Sequence, residues 1–165
     1  MNIRRAWRHL WCDRGVARRA FPPATMRKIE AAITANEKRH DGELRFAVEA
    51  SLPFGAVMRG VSARHRAIEV FARLRVWDTE RNSGVLIYLL LADRRVEIVA
   101  DRGIHRKVGD AAWEAICGHM QRAFAQRDFE RGALLAIDAV GDLLASHFPP
   151  EPGRPNELPN KPVML

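Results

Sequence analysis

Cysteine is scarce in this chain of 165 residues, and its scarcity argues against two classes of small protein. The two cysteines, Cys12 and Cys117, lie far apart in sequence and belong to no C-x-x-C pair. The sequence therefore predicts neither a disulfide framework nor a zinc ribbon, and it fits a reducing compartment. The six histidines offer no substitute, because none forms a close pair at metal-ligand spacing.

Long apolar runs and the common catalytic motifs are also missing. No apolar stretch approaches the roughly 20 residues needed to span a bilayer. The amino end has no apolar segment typical of a secretory signal. No glycine-rich phosphate loop, G-x-S-x-G elbow or H-E-x-x-H motif occurs. We therefore expect a cytoplasmic protein, and the sequence names no nucleophile.

The positive charge is concentrated at one end of the chain. Of the net charge of +7, residues 1–20 supply most, because they hold six arginines and Asp13 as their one acid. The remaining residues are close to neutral. A nucleic-acid reader would carry basic side chains over its folded body, so this distribution argues against DNA or RNA as a partner.

Residues 1–22 are predicted to form a basic amphipathic arm, because tryptophans and arginines recur there at helical spacing. One interpretation is an interfacial anchor that places the tryptophans among the headgroups of an anionic membrane. The alternative is a helix whose tryptophans pack on the domain or on a partner. The residues proposed to bind membrane or partner are Trp7, Trp11, Arg4, Arg5 and Arg8.

Residues 23–148 have the periodicity of one α/β domain. Residues 24–40 and 62–77 repeat at helix period, and residues 43–52 between them alternate as a half-exposed strand does. Residues 85–92 are apolar without alternation, which predicts a strand covered on both faces and parallel to the first.

The second half of the domain begins with a hairpin. Asp93-Arg94-Arg95 forms its predicted tip, and residues 96–100 return antiparallel. Residues 102–109 are predicted to be a basic loop, with Asp110 capping the first of two further helices. Six prolines within residues 149–165 predict an extended or disordered tail.

Carboxylates flank the hairpin at one predicted edge of the sheet. Asp78, Glu80 and Asn82 precede its first strand, and Asp101 ends its second. An antiparallel pair brings these ends together, and oxygen ligands suit Ca²⁺ or Mg²⁺. The pattern predicts a divalent-cation site, and its alternative is a set of solvated loop charges beside a turn.

Basic residues follow the hairpin. Arg102, Arg106 and Lys107 precede a predicted helix start, where free N–H groups and the helix dipole favour phosphate. They are the candidates for an anion-binding site, and the alternative is a solvated basic loop.

Trp77, Asn82-Ser83-Gly84-Val85-Leu86, the apolar strand, Asp93-Arg94-Arg95-Val96 and Gly103 together resemble the TPM domain family. This family includes a thylakoid acid phosphatase-like protein of photosystem repair, and the resemblance covers about residues 26–148. It implies a three-layer α/β/α sandwich, an α/β fold with a small mixed sheet flanked by helices. The chain departs from the family after Val99, where members usually show an acidic residue and Gly-Tyr-Gly.

The resemblance also implies functions. Some members are credited with weak phosphatase activity, some with Ca²⁺ binding, and others with assisting membrane complexes. We therefore expect an accessory or interaction module at the cytoplasmic face of the inner membrane. Its expected partner is a membrane-bound TPM relative or a LemA-like coiled-coil protein. The alternative is a weak metal-assisted acid phosphatase, in which Asp78, Glu80 and Asp101 hold the cation and Arg102 or Lys107 steadies phosphate.

Overall fold

The computed structural model describes residues 3–153 and 155–165 and places helices on both faces of a mixed sheet. The helices in this part of the chain are α1 (Ile3–Trp11), α2 (Arg14–Ala20), α3 (Pro23–Asn36), α4 (Phe54–Met58), α5 (Ala63–Arg73), α6 (Arg102–Val108), α7 (Asp110–Ala125) and α8 (Phe129–His147). A 3₁₀ turn, Glu37–Arg39, continues α3. The strands are β1 (Glu43–Glu49), β2 (Gly84–Leu90), β3 (Arg95–Ala100) and β4 (Val163–Met164).

The sheet has the order β3-β2-β1-β4. Strands β1 and β2 are parallel with Glu43 opposite Gly84, as the predicted strand–helix–strand crossover requires. Strands β2 and β3 form the predicted antiparallel hairpin, with Val85 opposite Ala100. The amino ends of β1 and β2 and the carboxyl end of β3 therefore share one edge of the sheet, and the hairpin tip lies at the opposite edge.

Each face of the sheet buries its own apolar core. Phe46, Ile87 and Ile98 belong to the core on which α2, α3, α6, α7 and α8 pack. Leu86 and Tyr88 belong to the opposite core, which α4 and α5 cover. Helices on both faces make the molecule a three-layer α/β/α sandwich, and this confirms the predicted fold class.

Strand β1 differs from its prediction as a half-exposed strand, because all seven of its residues are buried. Glu43 and Glu49 accept hydrogen bonds from neighbouring groups instead of from water, whereas Arg45 Nε and Nη1 are buried without a hydrogen-bond partner among the described residues. Glu49 accepts two hydrogen bonds from Arg66 at 2.9 Å and one from the Tyr88 hydroxyl at 2.6 Å. The alternating pattern marked the two faces correctly, but it does not distinguish a solvated face from a helix-covered face that pairs its charges.

The segment after β3 is also different from its prediction. Residues Arg102–Val108 form helix α6 rather than a loop, and Asp101 caps this helix by accepting a hydrogen bond from the Arg102 N–H at 2.6 Å. Asp110 is the first residue of α7, and the preceding Gly109 holds the N-cap position with no side-chain hydrogen bond. The predicted Asp110 cap is therefore wrong.

The carboxyl-terminal segment lies along the outer edge of β1. Val163 is paired with Ala47, and the Leu165 N–H donates to the Val48 carbonyl at 2.9 Å. Leu158 is buried in the core beneath α5. The described part of the segment is mostly extended, because proline excludes helix and β1 supplies backbone partners that composition does not reveal.

Candidate functional site: the outward face of helix α1

Helix α1 is attached to the domain by its polar side. Arg5 donates to both oxygens of the Asp93 carboxylate, with its Nε 3.1 Å from each. His9 is 6% exposed, and its Nε2 lies 3.0 Å from Asp93 Oδ1. The other ring nitrogen, Nδ1, accepts a hydrogen bond from the Leu52 N–H at 2.9 Å. This leaves the Nε2 proton of neutral His9 for Asp93.

Asp93 at the hairpin tip is the anchor for this helix. Burial by itself raises the pKa of Asp93, but the hydrogen bonds from Arg5 and His9 outweigh burial, so the pKa lies below its ordinary value of 3.8. Arg8 adds a longer contact, 3.6 Å from Nη2 to Oδ1. The charged tripeptide that reads as a plain polar turn in the sequence thus fixes the amino-terminal arm.

The opposite side of α1 is apolar and faces outward. Ile3, Trp7, Leu10 and Trp11 are 58%, 56%, 73% and 72% exposed, and we call these four residues the apolar face of α1. An amphipathic helix on a globular protein normally buries its apolar stripe. In α1 the orientation is reversed, because the partly buried carboxylate of Asp93 binds Arg5 and His9 on the polar side of the helix.

Basic and apolar neighbours surround this face. Arg4, Arg14 and Arg18 are exposed on α1 and α2. The two helices are separate because Asp13 starts α2 by accepting a hydrogen bond from the Val16 N–H at 2.9 Å. Helix α4, which packs against α1, exposes Phe54 and Met58. Large exposed apolar surfaces with a polar rim are typical of interaction sites rather than of ordinary protein surface.

The arm residues that the sequence singled out therefore separate into two groups. Trp7, Trp11 and Arg4 point away from the domain, and Arg8 is half-exposed. Arg5, which was predicted to meet lipid or a partner, binds Asp93 instead. The alternative that the tryptophans pack on the domain is wrong, because more than half of each side chain is exposed.

The four predicted cation ligands lie near the other edge of the sheet. Asp78, Glu80 and Asn82 are exposed in the connection before β2, and Asp101 is buried at the end of β3. Asp101 Oδ2 is buried without a hydrogen-bond partner, which suits a cation ligand. Within residues 3–153 and 155–165, however, no three His, Cys, Asp or Glu side chains are grouped to hold a metal ion.

The three acids of the predicted set are thus not gathered as a cation site requires.

The predicted anion-binding residues all lie on helix α6. Arg102 and Arg106 are exposed. Lys107 is engaged, because its Nζ donates to the His147 carbonyl at 3.2 Å and lies 4.2 Å from the centre of the Phe148 ring. The three residues still precede the start of α7 at Asp110, as the sequence predicted, but they do so on a helix rather than in a loop. The anion-binding site stays a prediction. No side-chain contact joins Arg102, Arg106 or Lys107 to the Asp101 carboxylate in the part of the chain that the structure describes, apart from the hydrogen bond of the Arg102 N–H.

A polar cavity at the amino end of β1 was not predicted from the sequence. Glu37, His40 and Glu43 line a cavity of about 260 Å³ at the amino end of β1, beside Asn160 of the carboxyl-terminal segment. Glu43 accepts hydrogen bonds from the Glu157 and Leu158 N–H groups. The polar residues between α3 and β1 were the only indication of this cavity in the sequence. Periodicity alone assigns them to a helix end and a turn.

Comparison with known proteins agrees with this architecture. The structure is similar to the solution structure of the BA42 protein from the psychrophilic bacterium Bizionia argentinensis. The two chains are 30% identical with a TM-score of 0.76, over 86% of this chain and 93% of BA42. The amino-terminal domain of cg2496 from Corynebacterium glutamicum has a TM-score of 0.54 at 16% identity, over 74% of this chain and 72% of that one, and it supports the fold alone.

The fold and the match to BA42 thus define the class as an α/β/α domain with a four-stranded mixed sheet. The model of the TPM domain family matches residues 17–143, which is most of the chain, and the chain belongs to this family. No curated protein matches it. In the part of the chain that the structure describes, no helix has the length and hydropathy required to cross a bilayer.

Proposed function

We propose that this chain is a TPM-domain interaction module that binds the anionic, cytoplasmic surface of a membrane through the apolar face of α1. The observation that carries the proposal is the orientation of α1, whose Arg5 and His9 bind Asp93 while Trp7 and Trp11 point outward. Tryptophan flanked by arginine is typical of helices that lie in the headgroup region of a bilayer.

The energies are of the size that peripheral binding needs. Burying the exposed part of each tryptophan removes on the order of 100 Å² from water, which contributes roughly 2–3 kcal/mol. Each arginine close to an anionic leaflet adds about 1 kcal/mol. Two kinds of signal are required for stable peripheral attachment, and α1 with its arginine neighbours offers both.

A protein at the membrane, either a membrane-bound TPM relative or a LemA-like protein, is the competing occupant of the same face. Most of the positive charge lies in residues 1–20. An anionic lipid surface attracts this charge wherever the helix lands, whereas a protein partner would need a matching acidic patch, so we favour the lipid surface over a protein partner. The cation and phosphatase hypotheses rest on the single unpartnered oxygen of Asp101 and remain predictions.

Vesicle flotation tests the proposal. The full chain is expected to float with phosphatidylcholine vesicles that contain phosphatidylglycerol, and much less with phosphatidylcholine alone. Trp7→Ser combined with Trp11→Ser should weaken binding by roughly 100-fold or more, because it removes the inserted surface. Trp77→Ser is the matched control, since Trp77 is 51% exposed and lies outside the arm.

The folded state of the double variant is checked by circular dichroism, and Arg5 and His9 remain to hold α1. A wild-type chain that ignores anionic vesicles contradicts the proposal. So does a double variant that binds as tightly as Trp77→Ser.

A further inference from the structure

A cavity of about 860 Å³ lies between α2, the tip of the β2–β3 hairpin and the turn that joins α7 to α8. Four arginines line it, and we call it the arginine cavity. They come from three separate parts of the chain: Arg19 from α2, Arg94 and Arg95 from the hairpin, and Arg127 from the α7–α8 turn. The fold thus gathers cations that the sequence separates by more than 100 positions.

The described residues that line the cavity include no acidic side chain to neutralise the positive charge of the four arginines. The four guanidinium groups form no ion pair or side-chain hydrogen bond with any residue in 3–153 or 155–165, although Arg95 interacts electrostatically with Glu97, which does not line the cavity. Asp93 is next to Arg94 in sequence, but its carboxylate is already held by Arg5 and His9. A bound anion would relieve the mutual repulsion of the four cations and satisfy their forked donors.

Apolar side chains make up the rest of the lining. Val16, Leu91, Phe124 and Phe129 belong to it and are partly buried, and Leu89 is buried beside them. A site for a bare ion such as inorganic phosphate does not need an apolar wall of this kind. The combination of cations with hydrocarbon contacts suits a ligand that carries both an acidic group and an aliphatic chain.

Two of the four arginines have an unusual backbone. The φ angle is 53° at Arg94 and 61° at Arg127, both in the left-handed region that favours glycine. Each sits in a tight turn, in which the Arg94 N–H donates to the Leu91 carbonyl and the Arg127 N–H donates to the Phe124 carbonyl. Arg75, which does not line the cavity, also has a φ angle of 53°, so this backbone describes the turns and is not by itself an argument for a ligand.

We propose that the arginine cavity binds an amphiphilic anion, a phosphate or carboxylate group carried on a hydrocarbon chain. The guanidinium groups take the acidic head, and the wall around Phe124 and Phe129 takes the chain. Such a molecule comes either from a bilayer lipid or as a free monomer, and the recognition chemistry is the same. This inference is independent of the apolar face of α1, which lies outside the cavity lining.

Calorimetric titration of the full chain with three probes tests the chemistry. Octyl phosphate, used as a monomer below its micelle concentration, carries both groups. Inorganic phosphate carries the head alone, and octyl glucoside carries the chain alone. Octyl phosphate is expected to bind at least about tenfold more tightly than either control. Equal binding of inorganic phosphate, or no binding of octyl phosphate, overturns the proposal.

Variants assign the binding to the cavity. Arg94→Gln combined with Arg95→Gln should weaken octyl phosphate binding by at least about tenfold, because charge-assisted hydrogen bonds are lost. Both positions are exposed, so the fold is expected to survive. Arg102→Gln combined with Arg106→Gln is the matched control on α6, and it should bind like wild type. If the two double variants behave alike, the assignment is overturned.

Alkylation of cysteine shows independently where the ligand binds, and it distinguishes a bilayer lipid from a free monomer as the source of the ligand. Cys12 lines the arginine cavity, whereas Cys117 lines a different one and serves as the internal reference. Slower alkylation of Cys12 with octyl phosphate supports the proposal. In the variant with both Trp7→Ser and Trp11→Ser, protection by phosphatidic acid vesicles as well identifies a bilayer lipid as a second source, and its absence identifies a free monomer. Unchanged alkylation of Cys12 with octyl phosphate overturns the proposal. The variant with both Trp7→Ser and Trp11→Ser should keep octyl phosphate binding, so failure of the membrane proposal is recognised separately.

Discussion

Glu37 and His40 flank the amino end of β1, where their surroundings alter their acidity. Burial, helped by repulsion from Glu43, raises the pKa of Glu37 to about 8, although hydrogen bonds from Leu44 and Asn160 and the charge of Arg45 oppose the shift. Burial lowers the pKa of His40 to about 4, and its Nδ1 accepts a hydrogen bond from the Gly42 N–H. At neutral pH both side chains are therefore expected to be largely uncharged.

These two groups give opposite pH dependence. Glu37 keeps its proton in the folded state up to about pH 8 but loses it near 4.5 when unfolded, so its stabilising contribution is lost progressively as the pH rises from 4.5 to 8. His40 binds a proton near 6.5 when unfolded and only near 4 when folded, so its contribution is lost as pH falls below 6.5. Above pH 6.5, therefore, Glu37 contributes more than His40 to the pH dependence of the free energy of unfolding.

We predict that Glu37→Gln removes a pH dependence of stability. Between pH 6.5 and 8 the free energy of unfolding of the wild-type protein should fall by about 1–2 kcal/mol, and the variant should stay level, because glutamine does not titrate. Urea unfolding across this range measures the difference. Glu114→Gln, at an exposed position on α7, should retain the wild-type slope. A variant at position 37 with the wild-type slope would contradict the prediction.

At the scale of the element, short segments were the ones that sequence periodicity misjudged. The hairpin was placed correctly because β2 is long, apolar and bounded by turns. Helix α6 was missed because its seven residues include four basic side chains and a glycine, a composition that reads as a loop. Strand β4 has only two residues and depends entirely on the edge of β1. Such elements are stabilised by neighbours rather than by their own pattern.

The carboxyl-terminal segment provides a prediction at this scale. Leu158→Ala should lower the free energy of unfolding by about 2–3 kcal/mol, because Leu158 is 8% exposed in the core beneath α5. The same substitution at Leu135, which is 55% exposed, is the control and should cost less than about 1 kcal/mol. Denaturant unfolding of both variants gives the comparison. Equal, small losses would mean that residue 158 contributes nothing to the fold.

At the scale of the whole molecule, charge and apolar surface are both concentrated toward the hairpin-tip edge of the sheet. The arm carries most of the net charge of +7, and Asp93 at the hairpin tip holds α1 there. The arginine cavity includes the same hairpin tip and begins at Cys12, next to Trp11 of the apolar face. The two surfaces that we propose for the binding of acidic amphiphiles are therefore neighbours, and each proposal can be tested without the other.

Salt should distinguish the electrostatic part of membrane binding from the apolar part. Raising the salt concentration from 0.1 M to 1 M shortens the Debye length from about 10 Å to 3 Å. We expect the affinity for vesicles containing phosphatidylglycerol to fall at least about tenfold over this range, because the exposed arginines are screened. Flotation at several salt concentrations measures it. An affinity that does not respond to salt would show that the arginines contribute nothing.

The sequence by itself determined the α/β class, the hairpin, the crossover and the basic amphipathic arm. Periodicity, turn residues and charge are local signals, and these features are local. Only the tertiary structure decided which side of α1 faces the domain, because that depends on Asp93, more than 80 positions away. It also buried the charges of β1 and gathered Arg19, Arg94, Arg95 and Arg127 around one cavity. Buried charges are paired by contacts between residues that are distant in sequence. Helical and strand periodicity depend only on neighbouring residues and therefore cannot predict these contacts.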